Sequence, residues 1–383
     1  MKIALVHELL TMKGGAERML KVLADKFPEA PIYTLLYDER RLGDWFDTTR
    51  VRPSKLQQSL TTRLSLAAHR PINHHLYLTH FPSAVEAFDF SGFDLVISSS
   101  SAFTHGIITN GNPRHLCFVQ SPARYLWDRT HDVQERSSRG FFGPLKRAYL
   151  SHIFHRLRIW DAEVAPRPDH LLAASKEVQR RIQLYWNRTS AIVHPPVDDF
   201  WFQEERSSAP RSSLLADRSF LLVSTLAPYK RIDIAIEACN QGKIPLTIIG
   251  EGPDRKRLER LAGPTITFRG YRSNEEVREA YRTATATLFP GDEDFGLVPL
   301  ESLACGTPVI ALRKGGALET MVEGVTGAFF DEQTPASLGA VLHAFDAKMY
   351  SREECRMHAQ TFGRSAFEQN IDSHISDLMN GPS

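Results

Sequence analysis

Gly291-Asp292-Glu293-Asp294-Phe295-Gly296-Leu297-Val298-Pro299-Leu300-Glu301-Ser302-Leu303-Ala304-Cys305-Gly306-Thr307-Pro308-Val309-Ile310 writes a loop, a helix start and a buried strand in succession. A loop glycine ahead of a helix N-terminus offers unpaired N–H groups and the positive end of a dipole, which suits an anion such as pyrophosphate. Carboxylates beside that anion would repel it. Glu293 and Glu301 therefore suit neutral hydroxyls, one on a sugar ring and one on a ribose, held by charge-assisted hydrogen bonds. A nucleotide sugar carries both groups.

Outward from this stretch, short apolar runs alternate with helical patterns. Phe220–Val223, Leu246–Ile249, Ile266–Phe268, Ala286–Phe289 and Val309–Leu312 form one series. Ile3–Val6, a helix from about Ala16 to Phe27, Leu95–Ile97, Leu116–Val119 and His170–Ala174 form an earlier one. Such alternation predicts α/β architecture with parallel sheets covered by helices. Pro195 and Pro196, followed by a polar stretch from Phe202 to Asp217, mark the boundary between the two series. The expected division is 1–196, 197–364 and a C-terminal segment 365–383, in keeping with about two domains for 383 residues. Ligands of such sheets sit at the carboxyl ends of strands, so two facing Rossmann-like domains would share one interdomain cleft.

Composition excludes several classes. Lys+Arg 46 against Asp+Glu 45 gives no basic excess that would call for nucleic acid. Cys117, Cys239, Cys305 and Cys355 lie far apart without a C-x-x-C pair, which argues against a zinc site or a disulfide framework and fits a reducing cytoplasm. The run after Lys2 is cut by His7 and Glu8, unlike a signal peptide, and no stretch reaches the roughly eighteen apolar residues of a membrane span.

The spaced-glutamate stretch closely resembles the motif of the family 4 retaining glycosyltransferases, enzymes of the GT-B fold. Ser224-Thr225-Leu226-Ala227-Pro228-Tyr229-Lys230-Arg231 is similar to their strand-loop segment ending in a Lys-Arg pair. Arg313-Lys314-Gly315-Gly316 and Glu323-Gly324-Val325-Thr326-Gly327 resemble the next glycine loop and turn. In the first half, Gly14-Gly15-Ala16-Glu17-Arg18, Ser98–Phe103 and Pro122–Asp128 resemble the bacterial polysaccharide mannosyltransferase branch. The resemblance implies a hexose donor, GDP-mannose first, with UDP-glucose or a UDP-hexosamine as alternatives. It also implies a glycan or polyprenyl-diphosphate-linked acceptor, retention of configuration, no metal or other cofactor, and a last helix that crosses back to the first domain.

Candidate roles follow. Lys230 and Arg231, after a buried strand and Pro228, would neutralise the departing diphosphate, where charge grows most in the transition state. Glu293 would hold the donor sugar and Glu301 the ribose, with the backbone of Phe295, Gly296 and Leu297 at the phosphates. Gly250 and Gly252 would let backbone approach a phosphate or base, or simply turn strand into helix. Tyr271 and Arg272 are placed to flank the nucleobase. Gly14 and Gly15 open a loop toward the diphosphate; without G-x-G-x-x-G, a nicotinamide enzyme is a poor fit. His105 could reach the reacting sugar as a catalytic group, or be structural. Gln120 stands where the family's His-x-Pro pattern puts a histidine, which leaves room for a non-catalytic nucleotide-sugar-binding subunit. Arg124, Tyr125 and Trp127 offer a cationic fork and aromatic faces to an acceptor, or pack in a core. Asp292-Glu293-Asp294 also spells D-x-D, a metal-binding pattern of the other large glycosyltransferase fold, but the flanking strand and helix entry follow the metal-free pattern.

From Arg136 to Arg158 basic residues, among them Arg139, Lys146, Arg147 and Arg156, mix with Phe141, Phe142, Leu145, Tyr149, Leu150, Ile153 and Phe154, and no carboxylate intervenes. Such a segment can rest on anionic lipid at the inner face of a plasma membrane; it also reads as an ordinary solvated helix face.

Overall fold

The computed structural model describes residues 1–137, 142–203 and 219–381. Arg139, Phe141 and most of the polar boundary stretch lie outside these residues. Two parallel sheets organise the chain. The first contains β1 (Ile3–Leu10), β2 (Ile32–Tyr37), β3 (Val51–Pro53), β4 (Leu95–Ser100), β5 (Arg114–Val119), β6 (His170–Ala173) and β7 (Ala191–Ile192), in the order β3-β2-β1-β4-β5-β6-β7. The second contains β8 (Phe220–Val223), β9 (Leu246–Ile249), β10 (Ile266–Gly270), β11 (Thr287–Phe289), β12 (Val309–Leu312) and β13 (Gly327–Phe330), in the order β10-β9-β8-β11-β12-β13. The chain divides into two compact units, Met1–Val193 with Glu368–Ser383, and His194–Phe367.

Why these runs become central strands is visible in the second unit. Alternate residues of a strand face opposite sides of a sheet. Leu221, Ile249, Val309 and Ala311 pack with Trp201, Tyr281, Leu300 and Leu303 on one side. Phe220, Leu222, Ile248, Ile310 and Leu312 pack with Ile234, Ile236, Leu338 and Leu342 on the other. Burial on both faces is what the unbroken apolar runs encode.

The structure departs from the sequence reading at four strands and at several strand ends. β2, β3, β7 and β13 were not legible: β3 and β7 are two or three residues long, and β13 opens on Gly327, where a Cβ would lie 1.9 Å from the Val309 carbonyl oxygen. β1 continues past His7 and Glu8 to Leu10. A charge can sit there because the Glu8 carboxylate accepts backbone N–H groups from Ser101 at 2.8 Å, Ala102 at 2.7 Å and Phe103 at 2.8 Å. These donors replace the water that burial removes.

The last helix, Arg364–Asn380, starts in the second unit and finishes in the first. Lys26 Nζ meets Asp372 Oδ2 at 2.8 Å, and the rings of His170 and His374 come within 3.2 Å through Nε2 and Nδ1. All four cysteines are buried and unbridged. Among the described residues no helix is long and apolar enough to cross a membrane.

His115 is fully buried, bonded through Nε2 to Ser98 Oγ at 2.7 Å, and burial pushes its pKa down to about 3, with His105 adding to the effect. The native state therefore binds fewer protons than the unfolded chain between pH 6.5 and about 3. The contribution of neutral His115 is complete above pH 6.5 and is lost as pH falls through that window. Urea unfolding at pH 6.5 and 5.0 should show a decline shallower by about 1 kcal/mol per pH unit in His115→Gln than in the unmodified protein. Equal slopes would contradict this account.

Candidate active site at the carboxyl edge of the second sheet

In the second sheet β8 is flanked by β9 and β11, so connections leave in opposite directions on either side of it. Parallel sheets bind ligands outside such a reversal, at the carboxyl ends of the strands. The loop after β8 ends in a short turn, Pro228–Lys230, and Arg231 takes a left-handed backbone at φ 51° before the helix Ile232–Gly242 begins. The loop after β11 carries Glu293. These two loops bring the Lys230 ammonium and the Glu293 carboxylate into a direct ion pair, with both side chains more than four-fifths buried. A small opening beside the pair is lined by Ser224, Lys230, Gly291 and Glu293.

The loop from Gly291 to Gly296 is fixed from beneath. Gly316 N donates to the Glu293 carbonyl at 2.9 Å, and a Cβ on Gly316 would lie 2.2 Å from the Phe295 carbonyl oxygen. Lys314 Nζ stands 3.3 Å from Asp292 Oδ2. Arg231 donates through Nε to Asp233 Oδ1 at 3.2 Å and lies 3.5 Å from Gln333 Oε1. Gln333 Nε2 in turn donates to the Pro290 carbonyl at 3.0 Å, so Arg231 is tied to the loop of Glu293.

Glu301 sits within the helix Leu297–Ala304, which Gly296 introduces at φ +82°. Only 9% of Glu301 is exposed, and the Tyr281 hydroxyl donates to its Oε2 at 3.1 Å. Phe295 is buried and stacks on His194, ring centroids 5.4 Å apart, while His194 Nε2 meets Glu319 Oε2 at 3.0 Å. Leu297 is half-buried at the helix start. Tyr271 is exposed after β10, the edge strand, and Arg272 lies 3.4 Å from Glu276.

Gly250 and Gly252, between β9 and the helix that follows it, are points of close backbone approach. A Cβ on Gly250, at φ +135°, would lie 1.9 Å from the Ser224 carbonyl oxygen, and one on Gly252 would lie 2.3 Å from that of Leu226. The backbone they approach is the chain's own: Leu226 N donates to the Glu251 carbonyl at 2.9 Å, and Asp254 N to that of Leu226 at 2.9 Å. These glycines set the loop that carries Lys230.

The remaining candidates belong to the first unit. Gly14 N donates to Glu17 Oε2 at 3.1 Å, so a carboxylate of the protein already covers the entrance to the helix Gly15–Lys26. His105 is 0% exposed, stacks on Trp186 at 4.4 Å, and has Nδ1 3.3 Å from Ser100 Oγ and Nε2 3.4 Å from Asp161 Oδ1. Burial drives both His105 and Asp161 toward their neutral forms, lowering the first pKa and raising the second. His105 is thus enclosed within the first unit.

The acceptor candidates lie nearby in the chain and have these neighbours. Asp161 Oδ2 accepts the indole N–H groups of Trp127 at 2.9 Å and Trp186 at 2.7 Å, and the Trp127 ring stacks on Tyr185 at 4.8 Å. The Tyr125 hydroxyl is buried, and burial holds its pKa well above the usual value. Arg124 Nε lies 3.5 Å from Asp128, which Arg181 also engages at 3.1 Å. Arg124 and Trp127 thus meet partners within the first unit, while Tyr125 packs its ring against Phe154 at 5.8 Å. Gln120 is half-buried, its Nε2 3.4 Å from Ser99 Oγ.

Sequence reasoning missed Tyr281, Lys314, Gln333 and His194 at the second-unit edge, and Glu8, Glu17 and Asp161 in the first. One signal was available: a carboxylate inside an apolar run, as at Glu8, must have a built partner.

Residues 205–360 match the family described as Glycosyl transferases group 1. The D-inositol 3-phosphate glycosyltransferase of Geodermatophilus obscurus is 28% identical over 247 residues, 57% of this chain and 54% of that protein. The protein of the same name from Acidothermus cellulolyticus is 32% identical over 205 residues, 46% of each chain. The chain thus spans about half the length of the curated relatives it matches. Among solved structures, Anabaena HepE in complex with UDP has a TM-score of 0.71 at 17% identity, covering 98% of this chain and 100% of that one. Sucrose-phosphate synthase from Thermosynechococcus elongatus has a TM-score of 0.72 at 17% identity, with both chains covered completely. The architecture is the two-domain α/β fold of GT-B glycosyltransferases, and the likeness to the group 1 glycosyltransferase family covers residues 205–360.

Gly250→Ala should destabilise the second unit by about 2–4 kcal/mol, from the forced backbone angle and the clash with Ser224 together. Chemical denaturation followed by tryptophan fluorescence measures it, and a change within about 0.5 kcal/mol would show that the loop yields freely.

Proposed function

We propose that this chain is a retaining glycosyltransferase that takes a hexose from a nucleoside-diphosphate sugar. The observation that carries the reading is the Lys230–Glu293 pair at the strand-order reversal, with Arg231 tied to the same loop through Gln333. A cation and a hydroxyl acceptor side by side match the two ends of the bond that breaks.

In this reading the donor's sugar hydroxyls bond to Glu293, releasing the Lys230 ammonium to the diphosphate. As the anomeric C–O bond opens, negative charge accumulates on the departing phosphate, and Lys230 and Arg231 favour that state over the ground state. The acceptor oxygen bonds the same face of the anomeric carbon, and its proton passes to a phosphate oxygen of the leaving diphosphate. The chain then supplies position and fixed charge rather than a strong base. Glu301, oriented by Tyr281, takes the ribose hydroxyls, and the N–H groups of Phe295 to Leu297 face phosphate oxygens. No metal is required in this scheme.

The first-half resemblance favours GDP-mannose and a polyprenyl-linked or growing glycan acceptor in cell-surface polysaccharide assembly. The Anabaena neighbour has been solved with UDP-glucose, which makes that donor the first competitor. A nucleotide-sugar panel assigns the base and the sugar; binding without hydrolysis or transfer would make the chain a non-catalytic donor-binding subunit. With a donor that turns over in EDTA, Lys230→Ala should lower kcat about 100-fold or more, and Glu301→Ala should mainly raise KM. Unchanged kinetics in both variants would refute these roles.

The helix Gly143–Val164 supports contact with a membrane-borne acceptor at the cytoplasmic face. Ile153, Phe154 and Leu157 are buried, whereas Leu145 and Tyr149 are exposed together with Phe142, Lys146, Arg147 and Arg156. An exposed apolar set rimmed by cations suits anionic headgroups. Flotation with liposomes containing anionic lipid should carry the protein upward, and Lys146→Glu with Arg147→Glu should abolish it. Equal flotation on neutral liposomes would oppose the electrostatic account.

A further inference from the structure

We infer that Glu293 makes the site discriminate between an intact nucleotide sugar and the nucleoside diphosphate left after transfer. This rests on the nucleotide-sugar reading and adds a specificity role to it.

The argument starts from how the cations of this edge are held. Lys230 is paired with Glu293, Lys314 with Asp292, and Arg231 with Asp233. An incoming diphosphate therefore meets ammonium and guanidinium groups that each have a carboxylate already beside them. To engage Lys230 it must displace Glu293, and the displaced carboxylate stays within the same small opening lined by Ser224, Gly291 and Lys230. The backbone of Glu293 cannot retreat to relieve this, because Gly316 N holds its carbonyl at 2.9 Å and a Cβ on Gly315 would come within 2.4 Å of the same oxygen.

The two ligands differ in what they offer that carboxylate. A nucleotide sugar brings hydroxyl donors on the ring, which replace the ammonium as its hydrogen-bond partners. A nucleoside diphosphate brings a terminal phosphate with about three negative charges overall at neutral pH and no donor in that position. Anion then faces anion at a site shielded from water, where Coulomb repulsion is weakly screened. Glu293 thus favours entry of the donor and exit of the product diphosphate, and its ion pair with Lys230 is the resting state between turnovers.

Isothermal titration of the unmodified protein and Glu293→Gln with GDP, UDP, GDP-mannose and UDP-glucose tests this. Glutamine keeps the size and a hydrogen-bonding head but removes the charge. The nucleoside diphosphate that matches the preferred donor should bind at least tenfold tighter to Glu293→Gln, while the matching nucleotide sugar binds no tighter than before. A purely structural role would weaken both ligands together. If Glu293→Gln does not fold, Glu293→Asp is measured in its place, and its withdrawn carboxylate should shift the same ratio in the same direction by a smaller factor. An unchanged ratio, or weaker diphosphate binding in the variant that folds, overturns the inference while leaving the donor reading intact. Failure of the unmodified protein to bind any of the four ligands overturns both.

Discussion

The ion pair between Lys230 and Glu293 is the interaction around which the second unit is arranged. Each partner is delivered by a different loop, and each loop is held in part by close backbone contact at glycines. Gly250 and Gly252 bring the strand-end turn of β9 against Ser224 and Leu226, while Gly315 and Gly316 bring the turn after β12 against Glu293 and Phe295. A side chain at any of these positions would separate the loops. Positional accuracy at the charged pair therefore depends in part on residues that carry no charge.

The first sheet has the same kind of reversal, with β1 flanked by β2 and β4, but its use is opposite. There the amides of Ser101, Ala102 and Phe103 converge on the Glu8 carboxylate. Amide groups arranged in this way would serve an external anion, and Glu8 supplies the anion internally. Glu17 does the same for Gly14. Behind them Asp161 gathers Trp127, Trp186 and His105 into one buried polar cluster. A buried carboxyl group that accepts from two indoles fixes geometry, since removing Asp161 would leave both N–H groups without that acceptor.

Much of the fold was legible because parallel strands buried on both faces leave unbroken apolar runs, as at Leu95–Ile97 and Phe220–Val223. Strands too short for a pattern, such as β7, were not. Within the candidate site the order of loop, helix entry and strand from Gly291 to Ile310 was readable, and so was the chemistry offered by Lys230, Arg231, Glu293 and Glu301. The partners that orient them were hidden. Tyr281 lies 20 residues from Glu301 and Gln333 lies 102 from Arg231, so no local pattern links them.

The sequence by itself determined the alternation of strands and helices and the identity of the charged groups, because burial periodicity and side-chain chemistry are local properties. Only the tertiary structure decided which of these groups come together and which meet internal partners. His105, Arg124 and Trp127 have the chemistry of a site, yet they meet Asp161, Asp128 and Tyr185 within their own unit. Whether a polar side chain meets solvent or an internal partner depends on elements distant in the chain, and that distance is closed only by packing.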